Sequence, residues 1–187
     1  MDTDSLDIKN SISQQRTVFN RDLDDKVWYY IYYASFILSL LIVVIMSSVK
    51  LITEDISIFN VVAIIIAIIF GFLIFYALKN NNHLVSIKGI DISQNKKLVM
   101  KSAKELGWYI ESNRKSHSIL SKPMSWRNNH WGRDMVIFYE NKCIYFNCIT
   151  PTRAFIGNSP FNWFGNRSEE EKFTHVLLDN IYKTYKQ

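Results

Sequence analysis

The sequence predicts a membrane protein in which an N-terminal two-helix transmembrane hairpin precedes a small cytosolic α+β domain, built from a helix, antiparallel strands and a second helix. Two segments, 27–49 and 56–78, each contain 23 residues without a charged side chain. About 20 apolar residues are enough for a helix to cross a bilayer. Further along the chain, short runs of aromatic and β-branched residues between turn residues are typical of strands.

These segments divide the chain into a polar cytoplasmic leader (1–26), the helical hairpin (27–79) and the cytosolic domain (80–187). A hydrophobic hairpin buried in a soluble core is the alternative, but an apolar core helix is usually only about 10 to 14 residues long. The leader lacks a basic stretch followed by a short apolar run and a small-residue cleavage site. We therefore expect no cleaved signal peptide.

Charged and aromatic residues near the helix ends predict the orientation. The leader contains four Lys or Arg and the residues after the second helix are rich in lysine, whereas the connection between the helices contains only Lys50. Lys and Arg accumulate on the cytoplasmic side of a membrane, and Trp and Tyr accumulate at its interfaces. Aromatic residues begin the first helix and end the second. We therefore expect a multi-pass protein of the bacterial inner (cytoplasmic) membrane with both termini in the cytoplasm.

A stripe of small residues, Ala63, Ala67 and Gly71, follows the second helix at spacings of four. Small residues let the backbone of another helix approach closely. The stripe predicts either packing of the two hairpin helices on each other or self-association into a homo-oligomer. The two uses are compatible.

Two amphipathic segments predict the helices of the cytosolic domain. In the first, Ser93 is the N-cap candidate and Gly107 the glycine that ends the helix. In the last, Ser168 and Glu171 have capping-box spacing. The predicted buried positions are Ile92, Val99, Ala103 and Leu106 in the first helix and Phe173, Val176, Leu177 and Ile181 in the last.

The segment between these helices predicts strands. Residues 135–149 ("MVIFYENKCIYFNCI") contain two strand-like runs around Glu140, Asn141 and Lys142, which predicts a hairpin closed by Pro151. Residues 108–120 predict either a strand or a bent hairpin. The order helix, strands, helix favours a sheet that two helices cover on one side.

The sequence offers little support for catalysis or metal binding. None of the four histidines lies three to five positions from another His or from a Cys, so we expect no metal site. Cys143 and Cys148 are five apart in one predicted strand and should point to opposite faces, as free core thiols in a reducing cytoplasm. Helix capping accounts for the glutamates at 169–171. We expect no cofactor and no enzyme.

The segment 125–134 ("SWRNNHWGRD") concentrates Trp and Arg in a predicted loop, and a second aromatic loop follows near position 161. From Lys79 to Gln187 the chain has 17 Lys and Arg against nine Asp and Glu, a net charge of about +8. Such loops suit an anionic bilayer surface or an anionic partner. The candidate contact residues are Trp126, Arg127, His130, Trp131, Arg133 and Trp163.

Two other interpretations of this cluster stay open. The tryptophans can close the end of a small core while the arginines are solvated or pair with Asp134 and nearby acids. Interleaved basic and aromatic residues also suit single-stranded nucleic acid. No recognition motif supports that partner, so nucleic acid is not the partner we expect first.

Several features resemble a group of small bacterial two-transmembrane proteins with an uncharacterised cytosolic α+β domain: Trp108 in "ELGW", the Trp-Gly cluster, Asn147 in "YFNCI", and "FGNR" before the last helix. The resemblance implies a fold and no activity. In architecture alone, the chain also resembles membrane effectors and accessories of bacterial anti-phage systems.

From these observations we expect a non-enzymatic, membrane-anchored protein. Its basic cytosolic domain should bind a protein partner or an anionic surface, and the chain should self-associate. The alternatives are a pore-forming effector or accessory of a bacterial defence system and a membrane-tethered nucleic-acid-binding module.

Overall fold

A computed structural model of the chain describes residues 6–20, 23–53, 58–124, 132–152, 155–158 and 162–186. The chain divides into two compact units. One is Arg21–Asn80, and the other combines Met1–Asn20 with Asn81–Gln187. The leader that the sequence separates from the cytosolic domain therefore belongs to the same unit as that domain.

The described residues form five helices and seven strands. In chain order these are α1 (Ile8–Gln14), α2 (Leu23–Thr53), α3 (Ile58–Asn80), β1 (Val85–Lys88), α4 (Ile92–Glu105), β2 (Tyr109–Asn113), β3 (His117–Lys122), β4 (Arg133–Glu140), β5 (Cys143–Ile149), β6 (Pro151–Thr152), β7 (Phe155–Asn158) and α5 (Trp163–Tyr185). The combination of helices with an antiparallel sheet confirms the predicted α+β class.

The Arg21–Asn80 unit consists of α2 and α3, which pack on each other. Among the described residues, α3 is the one helix that is long and apolar enough to cross a membrane. A Cβ placed on Gly71 would lie 3.9 Å from the Leu40 side chain of α2. At Gly71 the small-residue stripe therefore faces the other helix of the same chain, and Ala67 one turn earlier is buried.

Strands β1 to β5 form one antiparallel sheet in the order β1-β5-β4-β3-β2, and β6 pairs with β7. The predicted hairpin is confirmed: β4 and β5 pair around the turn at Asn141, whose φ of 50° is left-handed. Asn tolerates this conformation better than most residues. Strands β2 and β3 form the bent hairpin that was one of the two predicted alternatives.

The sheet has two distinct ends. The loop end contains Leu84, Lys122, Arg133 and Ile149. The turn end contains Lys88, Asn113 and Glu140. The chain comes from α3 through residues 81–84, so it joins the sheet at the loop end.

Helices α4 and α5 pack on one face of the sheet, as predicted. Val99, Ala103, Phe173 and Leu177 are fully buried there. The rings of Phe173 and Phe146 meet edge to face, with centroids 5.3 Å apart. Such pairs stabilise a core beyond the effect of burial.

Three predicted core positions are less buried than expected. Ile92 is 41% exposed, because it is the first residue of α4 and the buried part of that helix starts only at Asn95. Leu106 and Val176 are half-buried. Leu106 follows the last turn of α4, and Gly107 confirms the predicted helix end with a φ of 70°.

Both predicted N-caps are wrong. Asp91, not Ser93, caps α4, because its backbone is extended and its carboxylate accepts the Gln94 N–H at 2.9 Å. The helix α5 begins at Trp163, so Ser168 lies inside it and forms no capping box. The predicted second aromatic loop therefore continues into α5. The glutamates at 169–171 lie inside that helix and not at its N-terminus.

Residues 6–20 cover the opposite face of the sheet. Leu6 is buried in a cluster with Val136, Phe138 and Ile149, and Phe19 packs against that cluster from outside. The segment is also tied to the chain near β1, because the Thr17 N–H donates to the Asn82 carbonyl and the Leu84 N–H donates to the Gln15 carbonyl. The sheet therefore has a cover on both faces, where the sequence predicted one.

Candidate functional site

The structure describes only part of the predicted contact surface. Trp126, Arg127, His130 and Trp131 lie outside the described residues. Trp163 is the first residue of α5 rather than part of a loop. Arg133 is the first residue of β4 and pairs in register with Lys122, the last residue of β3. Residues 123–132, which we call the Trp-rich segment, therefore connect β3 to β4 in chain order at the loop end.

Arg133 is not a solvated surface charge. Its side chain is 14% exposed, and its Nη1 lies 3.6 Å from Glu169 Oε1. Its guanidinium packs against Gly165 of α5 so closely that a Cβ at that position would collide with Nη2. This agrees with the alternative in which the arginine pairs with an acid, although the acid is Glu169 and not Asp134.

Glu169 lies among three cations. Its Oε2 accepts from Lys122 Nζ at 2.7 Å, and its Oε1 accepts from Lys172 Nζ at 2.9 Å besides facing Arg133. Burial acts to raise the pKa of Glu169, but the hydrogen bonds and charges of Lys122 and Lys172 outweigh it, and the pKa is lowered. Glu169 is therefore ionised, and it neutralises Lys122 and Arg133 at the loop end of the sheet.

Glu170 points to a different set of partners. Its Oε1 accepts the backbone N–H of Cys148 at 2.8 Å, and its Oε2 accepts from Arg167 Nη1 at 2.7 Å. Burial raises the pKa of Glu170, and these two hydrogen bonds only partly offset that shift. The carboxylate therefore joins α5 to the end of β5.

The Cys148 thiol lies beside this carboxylate in the core. Its Sγ is 4.0 Å from Asn166 Oδ1, which also accepts from Thr150 Oγ1 at 2.8 Å. Burial first, and then the nearby Glu170 charge, raise the pKa of the Cys148 thiol well above its ordinary value. A buried thiol of this kind is a poor nucleophile. Cys143, on the opposite face as predicted, is only half-buried and not a core thiol.

Sequence analysis missed this glutamate cluster, which we define as Glu169 and Glu170 with Lys122, Arg133 and Arg167. It attributed the glutamates to a helix N-terminus, where solvated carboxylates are common. A usable signal was present in the period of α5, because Glu169 and Glu170 lie four and three residues before the buried Phe173 and so share its face.

The glutamate cluster links the strands of the sheet to α5. Its carboxylates are neutralised or hydrogen-bonded by partners on β3, β4, β5 and α5. Among the described residues, no group of three His, Cys, Asp or Glu could hold a metal ion. The cluster holds Lys122, the last residue of β3, and Arg133, the first residue of β4, against α5.

The raised pKa of Glu170 predicts a pH dependence of stability. Its unfolded-state pKa is near 4.5 and its folded-state pKa is higher. Between these values the folded protein binds more protons, so the free energy of unfolding should fall as pH rises. Glu170→Gln keeps an oxygen for the Cys148 N–H and does not titrate. The melting temperature of the wild type should therefore decrease relative to this variant as pH is raised from about 4 towards 7.

Asp134 also contributes to the pH dependence of stability, because burial raises its pKa. It is present in both proteins, so its effect cancels in the difference between the two melting curves. Parallel curves over the whole pH range would contradict the assignment to Glu170.

Comparisons with known proteins gave no match: no family model, no curated protein and no solved structure is similar to this chain.

Proposed function

We propose that the chain is a non-enzymatic two-pass protein of the bacterial inner membrane, whose basic cytoplasmic α+β unit binds a protein partner or an anionic surface. The observation that carries the proposal is the joining of residues 6–20 to the chain after residue 80. Thr17 N–H donates to the Asn82 carbonyl at 2.7 Å, and Asn147 Nδ2 donates to Thr17 Oγ1 at 2.8 Å.

Two segments that hydrogen-bond to each other lie on the same side of a membrane. If α3 crosses the bilayer, the chain before it must cross as well, because one crossing would separate residue 17 from residue 82. Among the described residues between them, the helix besides α3 is α2, with 31 residues from Leu23 to Thr53. At about 1.5 Å per residue this length exceeds the hydrocarbon thickness of about 30 Å. Its described apolar part is Ile37–Lys50, and the sequence is uncharged from Val27 to Val49.

The side chains of α3 support a lipid environment. Ile58, Phe59, Ile68, Phe72 and Phe75 are each more than 60% exposed in the chain by itself. A contiguous apolar surface of this kind is rarely left in water by a soluble monomer. Lipid tails would cover it along the whole helix.

The orientation follows from charge. Lys50 is the only basic residue between the two uncharged segments, while the α+β unit is strongly basic. The positive-inside tendency therefore favours a cytoplasmic α+β unit and an external α2–α3 connection.

The Cys148 thiol and the Glu169 carboxylate are buried or ion-paired, which supports a binding role over catalysis. The Cys148 thiol is buried with a raised pKa, and Glu169 is neutralised by cations. The predicted contact residues Trp126, Arg127, His130 and Trp131 follow Lys122 by only a few residues. Only residues 81–84 of the chain connect α3 to β1, so a basic unit on this short tether suits contact with anionic lipids or with a membrane-associated partner.

The small-residue stripe does not require an oligomer in this proposal. Gly71 faces Leu40 of the same chain, which accounts for a small residue at that position. Self-association stays a separate expectation, and α3 still offers large exposed apolar side chains for it.

Cysteine accessibility in whole cells tests the topology. In a background with Cys143→Ser and Cys148→Ala, Thr53→Cys should react with a membrane-impermeant maleimide added to intact cells. Thr53 ends α2 and is exposed. Lys142→Cys, at the exposed β4–β5 turn, serves as the matched cytoplasmic position and should react only after the membrane is opened.

Reaction of Thr53→Cys only after permeabilisation would contradict the proposed orientation. Recovery of the full chain in the soluble fraction, with both positions equally reactive in lysate, would contradict the membrane anchor itself.

A further inference from the structure

An open groove of about 420 Å³ runs along the exposed side of α4 towards the end of β2. It is separate from the glutamate cluster and from every residue of the predicted contact surface. Its lining residues are Lys96, Lys97, Met100, Lys101, Lys104 and Asn113.

The lysines of this groove are not neutralised within the part of the chain that the structure describes. Lys97, Lys101 and Lys104 make no ion pair there. The nearest acids along α4 are engaged elsewhere: Asp91 caps the helix, and Glu105 accepts from Asn180 Nδ2 at 3.1 Å. Like charges this close repel each other, so an anion in the groove would be stabilised.

The floor of the groove is held in place at the turn end. Lys96 Nζ donates to the Arg114 carbonyl at 2.9 Å and lies 6.0 Å from the centre of the Tyr139 ring. Asn113 Oδ1 accepts from Ser118 Oγ at 3.1 Å, which leaves the amide N–H groups of Asn113 for a ligand. The positive field reaches the core: burial, and then the charges of Arg114 and Lys96, lower the pKa of His117.

We propose that this lysine groove binds the phosphate backbone of a nucleic acid without reading its bases. Lys104 lies eight positions after Lys96, so the lysines extend over about 12 Å of helix. A stacked nucleic-acid strand carries a phosphate about every 3.4 Å along its axis, so a row of this length can contact about three consecutive phosphates of a stacked strand and fewer of an extended one. The lining contains only lysines, one Met and one Asn, with no aromatic ring to select a base.

The row of lysines favours a nucleic-acid strand over a bilayer. The side chains follow α4 from Lys96 to Lys104, so one strand can meet them in succession. A flat headgroup surface also fits a concave groove poorly, while a flexible strand follows it. This inference concerns a second surface, and it does not depend on α2 and α3 crossing a membrane.

Fluorescence anisotropy with the full chain in mild detergent tests the proposal. The probe is a labelled single-stranded oligonucleotide of about 20 nucleotides, longer than the span of one binding fold. Affinity should fall with added salt, with a slope of about −0.7 for each phosphate neutralised. Lys97→Gln combined with Lys101→Gln should weaken binding roughly tenfold and reduce the magnitude of that slope by about 1.4.

The matched control is Lys9→Gln combined with Lys142→Gln. It removes the same charge from exposed positions of the same unit and should bind like the wild type. Both double variants should melt with the wild type, because exposed charges contribute little to stability.

Equal affinity and salt slope for the groove variant and the control would overturn the proposal. So would tighter binding of polyglutamate than of the oligonucleotide at equal charge, which would indicate an acidic peptide. Binding of the chain to anionic vesicles through Lys97 and Lys101, with no oligonucleotide binding, would overturn it in favour of lipid.

Discussion

Deletion of residues 2–20 should prevent the α+β unit from folding stably. The segment covers Val136, Phe138 and Ile149, which are at most 2% exposed in the intact chain. Exposure of each such side chain costs about 1.5–3 kcal/mol, so the total is comparable with the whole free energy of unfolding of a small domain, about 5–15 kcal/mol. Limited proteolysis and thermal melts in detergent should report cleavage within β4 and β5 and loss of the cooperative transition.

A single substitution distinguishes the loss of packing by residues 6–20 from the effect of shortening the chain. Leu6→Asp puts a charge into the same buried cluster and should lower the melting temperature in the direction of the deletion. Lys9→Ala combined with Ser13→Ala changes only exposed positions of α1 and should leave it unchanged. A truncated chain that melts like the wild type would show that residues 6–20 are not a structural part of the unit.

Glu169→Ala should be the most damaging single change at the loop end. It leaves Lys122 and Arg133, with side chains 21% and 14% exposed, next to each other without their shared anion. Removal of one partner of a largely buried ion pair costs about 3–5 kcal/mol. Thermal or denaturant unfolding should show a loss of this order, and because the pKa of Glu169 is lowered, part of the wild-type stability should also be lost as pH falls below about 4.5.

The neighbouring glutamate provides the control. Glu171→Ala removes the same charge from an exposed position one residue away and should change stability by less than about 0.5 kcal/mol. If the loss in Glu169→Ala comes from the stranded cations, adding Arg133→Met should recover part of it, which a double-mutant cycle measures. Equal melting of Glu169→Ala and Glu171→Ala would rule out the buried ion-pair cluster.

These contacts change how the Trp-rich segment is interpreted. Arg133 has a side chain that is 14% exposed, pairs with Glu169 and packs closely on α5, so its substitution should affect folding whether or not it also contacts a partner. A binding test of the segment should therefore vary Arg127 and keep Arg133, because loss of Arg133 would mix a folding effect with a binding effect.

Several features were predictable because they depend on neighbours in the chain. The β4–β5 hairpin follows from two strand-like runs around Asn141, and the end of α4 follows from Gly107; both residues adopt the positive φ that their side chains allow. The uncharged length of α3 was equally plain. The N-cap of α4 was missed because Asp91 and Ser93 are both residue types that cap helices. The choice between them depends on where the helix meets the sheet.

The sequence alone determined local features of this protein: the apolar segment of α3, the β4–β5 hairpin and the buried positions Phe173, Leu177 and Ile181 of α5. Tertiary structure alone decided which polar groups are buried and which segment covers the second face of the sheet. The Lys122–Glu169 pair joins residues 47 apart, and the Asn147–Thr17 hydrogen bond joins residues 130 apart. Side-chain periodicity repeats over a few residues and contains no record of such distant partners, so only the folded chain brings them together.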